Sequence, residues 1–441
     1  MDALITRAQP LKGSVVLPAD KAIAQRAVLL SALAEGDTQL APWPAAEDCQ
    51  RAVDVVRALG ISVQRTAEDT LCLTGGGLKG LRRPSEALPC GESGTTLRLC
   101  AGVLAGQPFR SVLSAGMSLG GRPMRRIVEP LVLMGAQIDG ATRQGSDDVY
   151  PPLTIHGRRP LCSITYRLPV ASAQVKSALL LAGLFAEGRT TAVEPTPTRD
   201  HTERLLQALG APLRRQDAAV SVEGGQRLRS PGLLRLPGDF SSGAFLLVAA
   251  ACVPGSRVEL REMGLNPTRT QVLGVLRRMG ASVHATVQDD AWEPRGTVVV
   301  EAAGLRATRI EAREVPGLID ELPALMVAAC CATGTTVLEG LGELRVKETD
   351  RIQSMVSGLT SLGAALEVAT DHCLRITGGA RLRGAPVQSA GDHRTAMALA
   401  VAGLVAEGTT TISGAECIGK SFGQFFQVLA ALGGPASVKA C

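Results

Sequence analysis

Residues 201–210 read HTERLLQALG, residues 270–280 read TQVLGVLRRMG and residues 422–433 read FGQFFQVLAALG. Each stretch places apolar residues three or four positions apart and ends in glycine, which predicts an amphipathic helix closed by a left-handed C-cap. The same Leu-Gly or Met-Gly ending recurs at intervals of 75, 75, 70, 83 and 70 residues, at Gly60, Gly135, Gly210, Gly280, Gly363 and Gly433. We therefore expect six repeated units.

A second helix, rich in alanine and leucine, is expected upstream in the units, followed by a turn and a β-branched strand. Examples are SALLLAGLFAEGRTTAV at 177–193, AFLLVAAACVPGSRVEL at 244–260, PALMVAACCATGTTVLEG at 323–340 and AMALAVAGLVAEGTTTI at 396–412. Because these helices are apolar around most of their circumference, we expect them to be buried. Units of about 70 residues are too long for a typical solenoid, which favours two domains of three units each.

Composition and charge narrow the functional class. The chain of 441 residues is 45% hydrophobic and 20% charged, as in a folded protein of two domains. Its net charge of +5 is small, and aromatic residues make up only 2%. The protein therefore has few aromatic side chains on which nucleic-acid bases could stack, and a nucleic-acid partner is not expected. A modest positive excess fits an enzyme with small anionic substrates.

Membrane segments and metal sites are not expected either. Apolar runs such as residues 244–253 are about half of the roughly 20 residues that span a bilayer. The start MDALITRAQP lacks the apolar core of a signal peptide. Eleven cysteines without a CxxC pair, and five histidines without HExxH spacing, predict neither a disulfide framework nor a metal site. Free thiols in a reducing cytoplasm are the preferred interpretation.

Short polar motifs precede the buried helices. They are ADKA at 19–22, GESG at 91–94, ASAQ at 171–174, GDFSS at 238–242, IDE at 319–321 and GDHR at 391–394. Helix N-termini facing one cleft would bind anions, because they carry partial positive charge and unpaired amide donors. Capping alone explains any single motif. It does not require the cations and amides that accompany the motifs, namely Lys21, Arg26, Gln174 and Arg394.

Longer motifs run along the whole chain in order. They are LPADKAIAQRAVLLSALAEGDT at 17–38, GESGTTLRL at 91–99, SLGGRPMRRIVEPLVLMGA at 118–136, LPVASAQVKSALLLAGL at 168–184, PTPTRDHTERLL at 195–206, GLNPTRT at 264–270, IDELPALMVAA at 319–329, LRVKETDRI at 344–352 and GDHRTAMALAVAGL at 391–404. Together they resemble the signatures of the 3-phosphoshikimate 1-carboxyvinyltransferase family of enolpyruvyl transferases.

The resemblance implies a fold and an activity. The fold is a two-lobed, inside-out α/β barrel of six βαβαββ repeats, three per lobe. One lobe would comprise residues 1–17 plus 233–441 and the other residues 18–232, with the active site in the cleft between them. The activity is transfer of the enolpyruvyl group of phosphoenolpyruvate to the 5-hydroxyl of 3-phosphoshikimate, with release of phosphate, on the shikimate pathway to chorismate. A cytoplasmic monomer without metal or cofactor is expected.

The resemblance also assigns binding residues. Both substrates carry about three negative charges, which call for fixed cations and bidentate guanidinium groups. The phosphoenolpyruvate contacts would be Lys21, Gly94, Arg122, Gln174, Arg351, Arg394 and Lys420. The phosphoshikimate contacts would be Ser172, Arg199 and Lys347 on the phosphate, Arg26 on the carboxylate, and in addition Lys21, Ala22, Ala173, Gln174 and Asp320.

Proton transfer needs carboxylates. By motif position, Asp320 is the base near the acceptor hydroxyl, Glu348 exchanges the methyl proton, and Lys21 protonates the leaving phosphate. From the residues alone, Asp320 could equally be an N-cap and Glu348 a partner of Arg351. We also expect Lys347 and Arg351 to lie four apart on one helical face, where like charges repel unless an anion lies between them.

Several positions depart from the family pattern. Ala22 stands where a serine contacts the acceptor, Gln25 replaces a histidine, and Glu92 replaces an asparagine near the predicted phosphoenolpyruvate site. A carboxylate near an anion opposes binding unless it is paired or protonated. A paralogue that uses another acceptor, or a weakly active anion-binding homologue, therefore stays open. Met117 stands where a sister family, acting on a nucleotide sugar, has a reactive cysteine, which argues against that activity.

Overall fold

The computed structural model describes residues 1–439, and these form two compact units. One unit comprises Met1–Pro18 and the described residues from Pro237 onward, and the other comprises Ala19–Leu236. The first unit is discontinuous because the strands Asp2–Thr6 and Lys12–Val16 complete sheets whose other strands lie after residue 237.

Each unit repeats one sheet arrangement three times within the described residues. A short edge strand runs parallel to a second strand, a third strand pairs with the second in antiparallel fashion, and the fourth pairs with the third in the same way. In four repeats a buried helix of the same unit follows the first strand, whereas after Lys12–Val16 and after Leu233–Arg235 the chain continues into a buried helix of the other unit. An amphipathic helix follows the second strand in each repeat. This order, βαβαββ, confirms the repeat expected from the sequence.

The three repeats of Ala19–Leu236 share this plan. Their sheets, in spatial order, are Leu233–Arg235, Glu35–Ala41, Thr70–Gly76 and Ser62–Ala67; Leu88–Pro89, Arg110–Ser114, Ser146–His156 and Gln137–Arg143; and Thr165–Arg167, Arg189–Val193, Ala219–Glu223 and Leu213–Gln216. A further two-stranded sheet joins Leu161–Cys162 to Ala186–Glu187. The helices are Lys21–Leu33, Glu47–Ala58, Gly94–Ala105, Met117–Gly120, Arg125–Leu133, Ala173–Gly183 and His201–Ala208.

The other unit has the same three-repeat plan. Its sheets are Lys12–Val16, Arg257–Gly264, Arg295–Glu301 and Ser282–Asp289; Arg309–Ile310, Thr335–Glu339, Cys373–Thr377 and Ala365–Thr370; and Pro386–Gln388, Thr409–Ser413, Asp2–Thr6 and Ala436–Lys439. The α-helices are Phe240–Cys252, Gln271–Arg278, Val315–Leu318, Leu322–Cys331, Arg351–Ser361, His393–Val405 and Phe425–Ala431. Two 3₁₀ helices span Leu341–Val346 and Ala415–Lys420.

The alanine-rich helices form the cores of the units, as expected. Every residue from Phe240 to Ala251 is buried, and so is every residue of Leu322–Cys331 except the last. In the other unit, a Cβ on Gly102 would collide with the carbonyl of Ala178, so the helices that carry these residues touch backbone to backbone. Small side chains therefore set the close spacing of the core helices.

The repeated glycines adopt the backbone conformation that the sequence pattern predicts. Gly60, Gly135, Gly210, Gly280, Gly363 and Gly433 have φ values of 88°, 100°, 86°, 100°, 86° and 90°. Residues with a Cβ rarely adopt such values, whereas glycine does so without strain. The left-handed C-cap expected at the end of each amphipathic helix is confirmed.

None of the α-helices within residues 1–439 combines the length and the apolar character needed to cross a bilayer.

Candidate active site

The polar motifs before the buried helices supply N-caps in five of the six repeats. Side chains accept hydrogen bonds from backbone amides two or three residues later at Asp20, Ser93, Ser172, Asp239 and Asp392. The helix Leu322–Cys331 differs, because its N-cap residue, Glu321, makes no side-chain cap bond. Asp320, in this sixth motif, makes contacts of another kind.

Asp320 lies among guanidinium groups. Its Oδ1 is 3.3 Å from Arg394 Nη1 and 3.4 Å from Arg351 Nη1, and its Oδ2 is 3.7 Å from Arg269 Nη1. Cations at this range favour the ionised carboxylate. These ion pairs connect Asp320 to arginines from three separate segments of the unit.

Arg351 organises the carboxylates of this unit. Its side chain is completely buried, with Nε 2.7 Å from Asp392 Oδ2 and Nη2 2.5 Å from Glu348 Oε2. Burial opposes the charged guanidinium, but the carboxylates of Asp392, Glu348 and Asp320 outweigh it and raise the pKa of Arg351 above its ordinary value. Glu348 thus pairs with Arg351, which it shares with Asp320, and its role in proton transfer stays a prediction.

The expectation that Lys347 and Arg351 share a helical face is wrong. The helix begins at Arg351, because Asp350 is its N-cap and accepts hydrogen bonds from the amides of Ile352 and Gln353, each at 3.0 Å. Lys347 precedes the cap, with φ −85° and ψ −153°, and lies in extended backbone at the end of the 3₁₀ helix Leu341–Val346.

Two predicted cations lie near the start of the helix His393–Val405. The amide of Arg394 donates to Asp392 Oδ1 at 2.8 Å, and its guanidinium reaches Asp320. Lys420 Nζ donates to the carbonyl of Gly391 at 3.2 Å. The unit therefore brings together Asp320, Glu348, Arg351 and Arg394, and it places Lys420 beside the same turn.

Sequence reasoning missed a buried group behind Asp320. Arg269 Nη2 lies 3.4 Å from Glu321 Oε1, and Ser241 Oγ donates to the same oxygen at 2.6 Å. Arg269 also contacts Ser241 directly. The signal was available, because GLNPTRT contains Arg269 and GDFSS contains Ser241, but neither motif was connected to IDE.

The unit Ala19–Leu236 holds a second cluster, around Gly94. Arg98 Nη1 donates to Gln174 Oε1 at 2.9 Å, and Gln174 Nε2 donates to Thr95 Oγ1 at 2.9 Å. A Cβ on Gly94 would lie 2.7 Å from Arg98 Nη1 and 3.1 Å from Arg122 Nη1. Two guanidinium groups thus meet at the start of the helix Gly94–Ala105, an arrangement suited to an anion. Arg98 was missed, although it lies in GESGTTLRL.

Lys21 and Arg26 lie on the first helix of this unit. Lys21 Nζ is 3.1 Å from Asp48 Oδ2. The buried Arg26 guanidinium donates to Thr202 Oγ1 at 3.0 Å, to the carbonyl of Ala22 at 2.9 Å and to Ser177 Oγ at 3.4 Å. Arg26 thereby links three segments, and its contact with the acceptor carboxylate stays a prediction.

Glu92 has backbone partners. Its carboxylate accepts hydrogen bonds from the amides of Ser118, at 3.2 Å, and Leu119, at 2.7 Å, at the start of the short helix Met117–Gly120. Gln25 has a similar internal role, because its Oε1 accepts from Ser93 Oγ at 2.7 Å and from Thr96 Oγ1 at 3.1 Å. Glu92 is therefore held by the start of a short helix, and Gln25, on the helix Lys21–Leu33, is held by the start of the helix Gly94–Ala105.

The sequence as a whole matches the family model described as EPSP synthase (3-phosphoshikimate 1-carboxyvinyltransferase) over residues 5–429. The chain belongs to this family. It is 49% identical to the 3-phosphoshikimate 1-carboxyvinyltransferase of Halorhodospira halophila over 424 residues, which are 96% of this chain and 94% of the relative. The enzyme of the same name from Coxiella burnetii is 46% identical over 430 residues, 97% of this chain and 96% of the relative.

The solved structures agree with this membership in the EPSP synthase family. A structure of EPSP synthase from Acinetobacter baumannii covers 100% of both chains with a TM-score of 0.88 and 38% sequence identity. The α/β fold implied by the sequence motifs is therefore confirmed. The chain is thus a member of the 3-phosphoshikimate 1-carboxyvinyltransferase family of enolpyruvyl transferases.

Proposed function

We propose that the protein transfers the enolpyruvyl group of phosphoenolpyruvate to the 5-hydroxyl of 3-phosphoshikimate and releases phosphate. The observation that carries the proposal is the pairing of two carboxylates through one arginine. Asp320 and Glu348 both contact the buried guanidinium of Arg351, at 3.4 Å and 2.5 Å. Two carboxylates gathered at one guanidinium can serve a reaction with two proton transfers.

The proposed roles follow from the chemistry of addition and elimination. Asp320 takes the proton of the acceptor hydroxyl as its oxygen attacks C2 of phosphoenolpyruvate. Glu348 delivers a proton to C3 and later removes one from the resulting methyl group. Lys21 donates a proton to the departing phosphate. The proton removed from the hydroxyl and the proton added to phosphate balance, and C3 ends as it began.

Substrate binding is proposed to use cations from both units. Phosphoenolpyruvate would be held by Lys21, Gly94, Arg122, Gln174, Arg351, Arg394 and Lys420, and phosphoshikimate by Lys21, Ala22, Arg26, Ser172, Ala173, Gln174, Arg199, Asp320 and Lys347. We add Arg98 to the first set, because it contacts Gln174 and approaches Gly94. We further propose that the protein acts as a monomer in the cytoplasm.

Arg351 needs one further step in this scheme. Its side chain has no exposed surface while three carboxylates surround it. Phosphoenolpyruvate can therefore contact Arg351 only after a neighbouring group moves. In this scheme Glu348 is the group that moves, because its side chain is 25% exposed, whereas that of Asp392 is completely buried.

A different acceptor receives less support than phosphoshikimate. Glu92 is one of the departures that left another acceptor open, and its carboxylate is engaged by two backbone amides of its own unit. Ala22 lacks a hydroxyl, but its backbone carbonyl accepts a hydrogen bond from Arg26 at 2.9 Å. This contact does not depend on which side chain stands at position 22.

The test is a phosphate-release assay with mass analysis of the product. Phosphate should appear only when phosphoenolpyruvate and 3-phosphoshikimate are both present, in equal amount to an enolpyruvyl adduct of the acceptor. The matched control is Asp320→Asn, which should release little. Turnover with another acceptor and none with phosphoshikimate, at saturating phosphoenolpyruvate, would refute the proposal.

A further inference from the structure

Lys176 is a completely buried lysine that the proposed reaction does not use. It lies on the helix Ala173–Gly183, and its side chain has no exposed surface. Its ammonium is 3.0 Å from Glu194 Oε2 and 2.8 Å from Glu203 Oε1, and it donates to the carbonyl of Thr198 at 3.3 Å. An ammonium has three N–H donors, and here three acceptors surround it.

The three acceptors come from one stretch of chain, residues 194–203. Glu194 and Glu203 are themselves buried, with side chains 6% and 1% exposed. Within this stretch the amide of Thr198 donates to Glu194 Oε1 at 3.2 Å, and the hydroxyl of Thr198 contacts the same oxygen. Lys176 therefore holds residues 194–203 at both ends, through Glu194 and Glu203, and in the middle, through the carbonyl of Thr198. Thr198 directly precedes Arg199.

The helix that carries Lys176 begins beside another predicted phosphate contact. Ser172 is its N-cap, with Oγ 3.4 Å from the amide of Val175, and Ala173, predicted to contact phosphoshikimate, is its first residue. A second tie lies next to the first, because Ser177 and Thr202 share a hydrogen bond of 2.7 Å. The helix start and the Arg199 loop are thus joined by a buried polar network.

We propose that Lys176 is a positioning residue for the acceptor's phosphate group. By anchoring residues 194–203 to the helix Ala173–Gly183, it holds Arg199 at a fixed place relative to the helix start at Ser172. Two phosphate-binding elements then need no ordering when the ligand arrives, which lowers the cost of binding. Lys176 itself touches no substrate. This inference rests on the proposed function, since it takes phosphoshikimate as the ligand of that site.

The experiment compares ligand affinities in variants of the full chain. Glu194→Gln keeps the size of the side chain and removes one ionic contact of Lys176, and Lys176→Met removes the ammonium. We expect the dissociation constant of 3-phosphoshikimate, measured by titration calorimetry, to rise about tenfold in Glu194→Gln and more in Lys176→Met, a change of about 1.4 kcal/mol for each factor of ten. The KM for phosphoenolpyruvate should stay within about twofold.

The matched control is Arg189→Gln. Arg189 lies on the strand Arg189–Val193, just before Glu194, and forms an exposed ion pair with Glu223 at 2.6 Å. Loss of that pair should change neither affinity. Thermal unfolding of each variant separates the roles, because a residue that only stabilises the fold lowers the unfolding temperature and leaves the affinity of the folded molecules unchanged.

Each outcome decides the question. If Lys176→Met does not fold, Glu194→Gln and Thr198→Val, which removes the hydroxyl contact with Glu194, carry the test. Unchanged affinity for phosphoshikimate in both, with a wild type that binds it, overturns the inference and leaves the proposed function intact. A wild type that does not bind phosphoshikimate overturns the proposed function and the inference with it.

Discussion

Arg351 Nε lies 2.7 Å from Asp392 Oδ2, and neither side chain has any exposed surface. The contact joins the first residue of the helix Arg351–Ser361 to the N-cap of the helix His393–Val405. Asp392 Oδ1 meanwhile accepts a hydrogen bond from the amide of Arg394 at 2.8 Å. One buried carboxylate therefore places two arginines that are predicted to bind phosphoenolpyruvate.

Asp392→Ala should be strongly destabilising. It leaves the buried Arg351 with one counter-charge fewer and removes a helix cap, so we expect the free energy of unfolding in urea to fall by about 3–5 kcal/mol. The control is Glu367→Ala, which breaks an exposed ion pair with Arg375 at 3.5 Å and should cost less than about 1 kcal/mol. Similar losses in the two variants would show that burial of the Arg351 pair has no special weight.

Asp320→Ala and Glu348→Gln should each lower kcat by about 10²-fold or more, because each removes a positioned proton carrier. The KM values should change much less. Glu314→Gln, which alters an ion pair with Arg278 at 2.8 Å in the same unit, is the control and should keep wild-type turnover. Near-normal kcat in either test variant would remove that residue from the mechanism.

Gly94→Ala should weaken phosphoenolpyruvate binding. The new Cβ would lie 2.7 Å from Arg98 Nη1 and 3.1 Å from Arg122 Nη1, so both guanidinium groups have to shift. We expect the KM for phosphoenolpyruvate to rise about tenfold or more in steady-state assays, with a smaller change for phosphoshikimate. Gly120→Ala is the matched control, because a Cβ there meets nothing within 4 Å. Equal KM values for the two variants would contradict the proposed place of Gly94.

Substitutions that restore the family residues at positions 22 and 92 should have different effects on kcat/KM. Ala22→Ser restores a hydroxyl, worth about 0.5–1.5 kcal/mol, and should raise kcat/KM for phosphoshikimate severalfold. Glu92→Asn should not raise kcat/KM, because it replaces the carboxylate that accepts hydrogen bonds from the amides of Ser118 and Leu119 with a shorter, neutral amide. The measurement is kcat/KM for each single variant and for the pair. A clear improvement from Glu92→Asn would show that this carboxylate does oppose the substrate.

A buried thiol should make stability depend on alkaline pH. Burial raises the pKa of Cys100 from 9.0 to about 12. Below pH 9 the thiol is protonated in both the folded and the unfolded state, so its contribution to the free energy of unfolding is complete. As the pH rises from 9 towards 12, only the unfolded chain ionises the thiol, and this contribution is lost. Relative to Cys100→Ala, the wild type should lose up to about 1.4 kcal/mol per pH unit in this window, measured by denaturant unfolding. A constant difference between the two proteins would contradict the assignment.

The sequence predicted what depends on neighbours along the chain. The left-handed glycines and the caps at Asp20 and Asp392 follow from residues a few positions away. The prediction that Lys347 lies on the same helix as Arg351 was wrong for a local reason, because the N-cap at Asp350 makes that helix begin at Arg351. The surroundings of Asp320 could not be derived in this way, since its arginine partners come from three separate segments that only the fold brings together.

The strand Asp2–Thr6 pairs with Thr409–Ser413 on one side and with Ala436–Lys439 on the other. Translation therefore produces this strand well before either of its neighbours. The whole unit Ala19–Leu236, with all the strands of its own sheets, is made in the interval. That unit can fold from its own strands during synthesis, whereas the sheet that contains Asp2–Thr6 can close only after Ala436–Lys439 has been made.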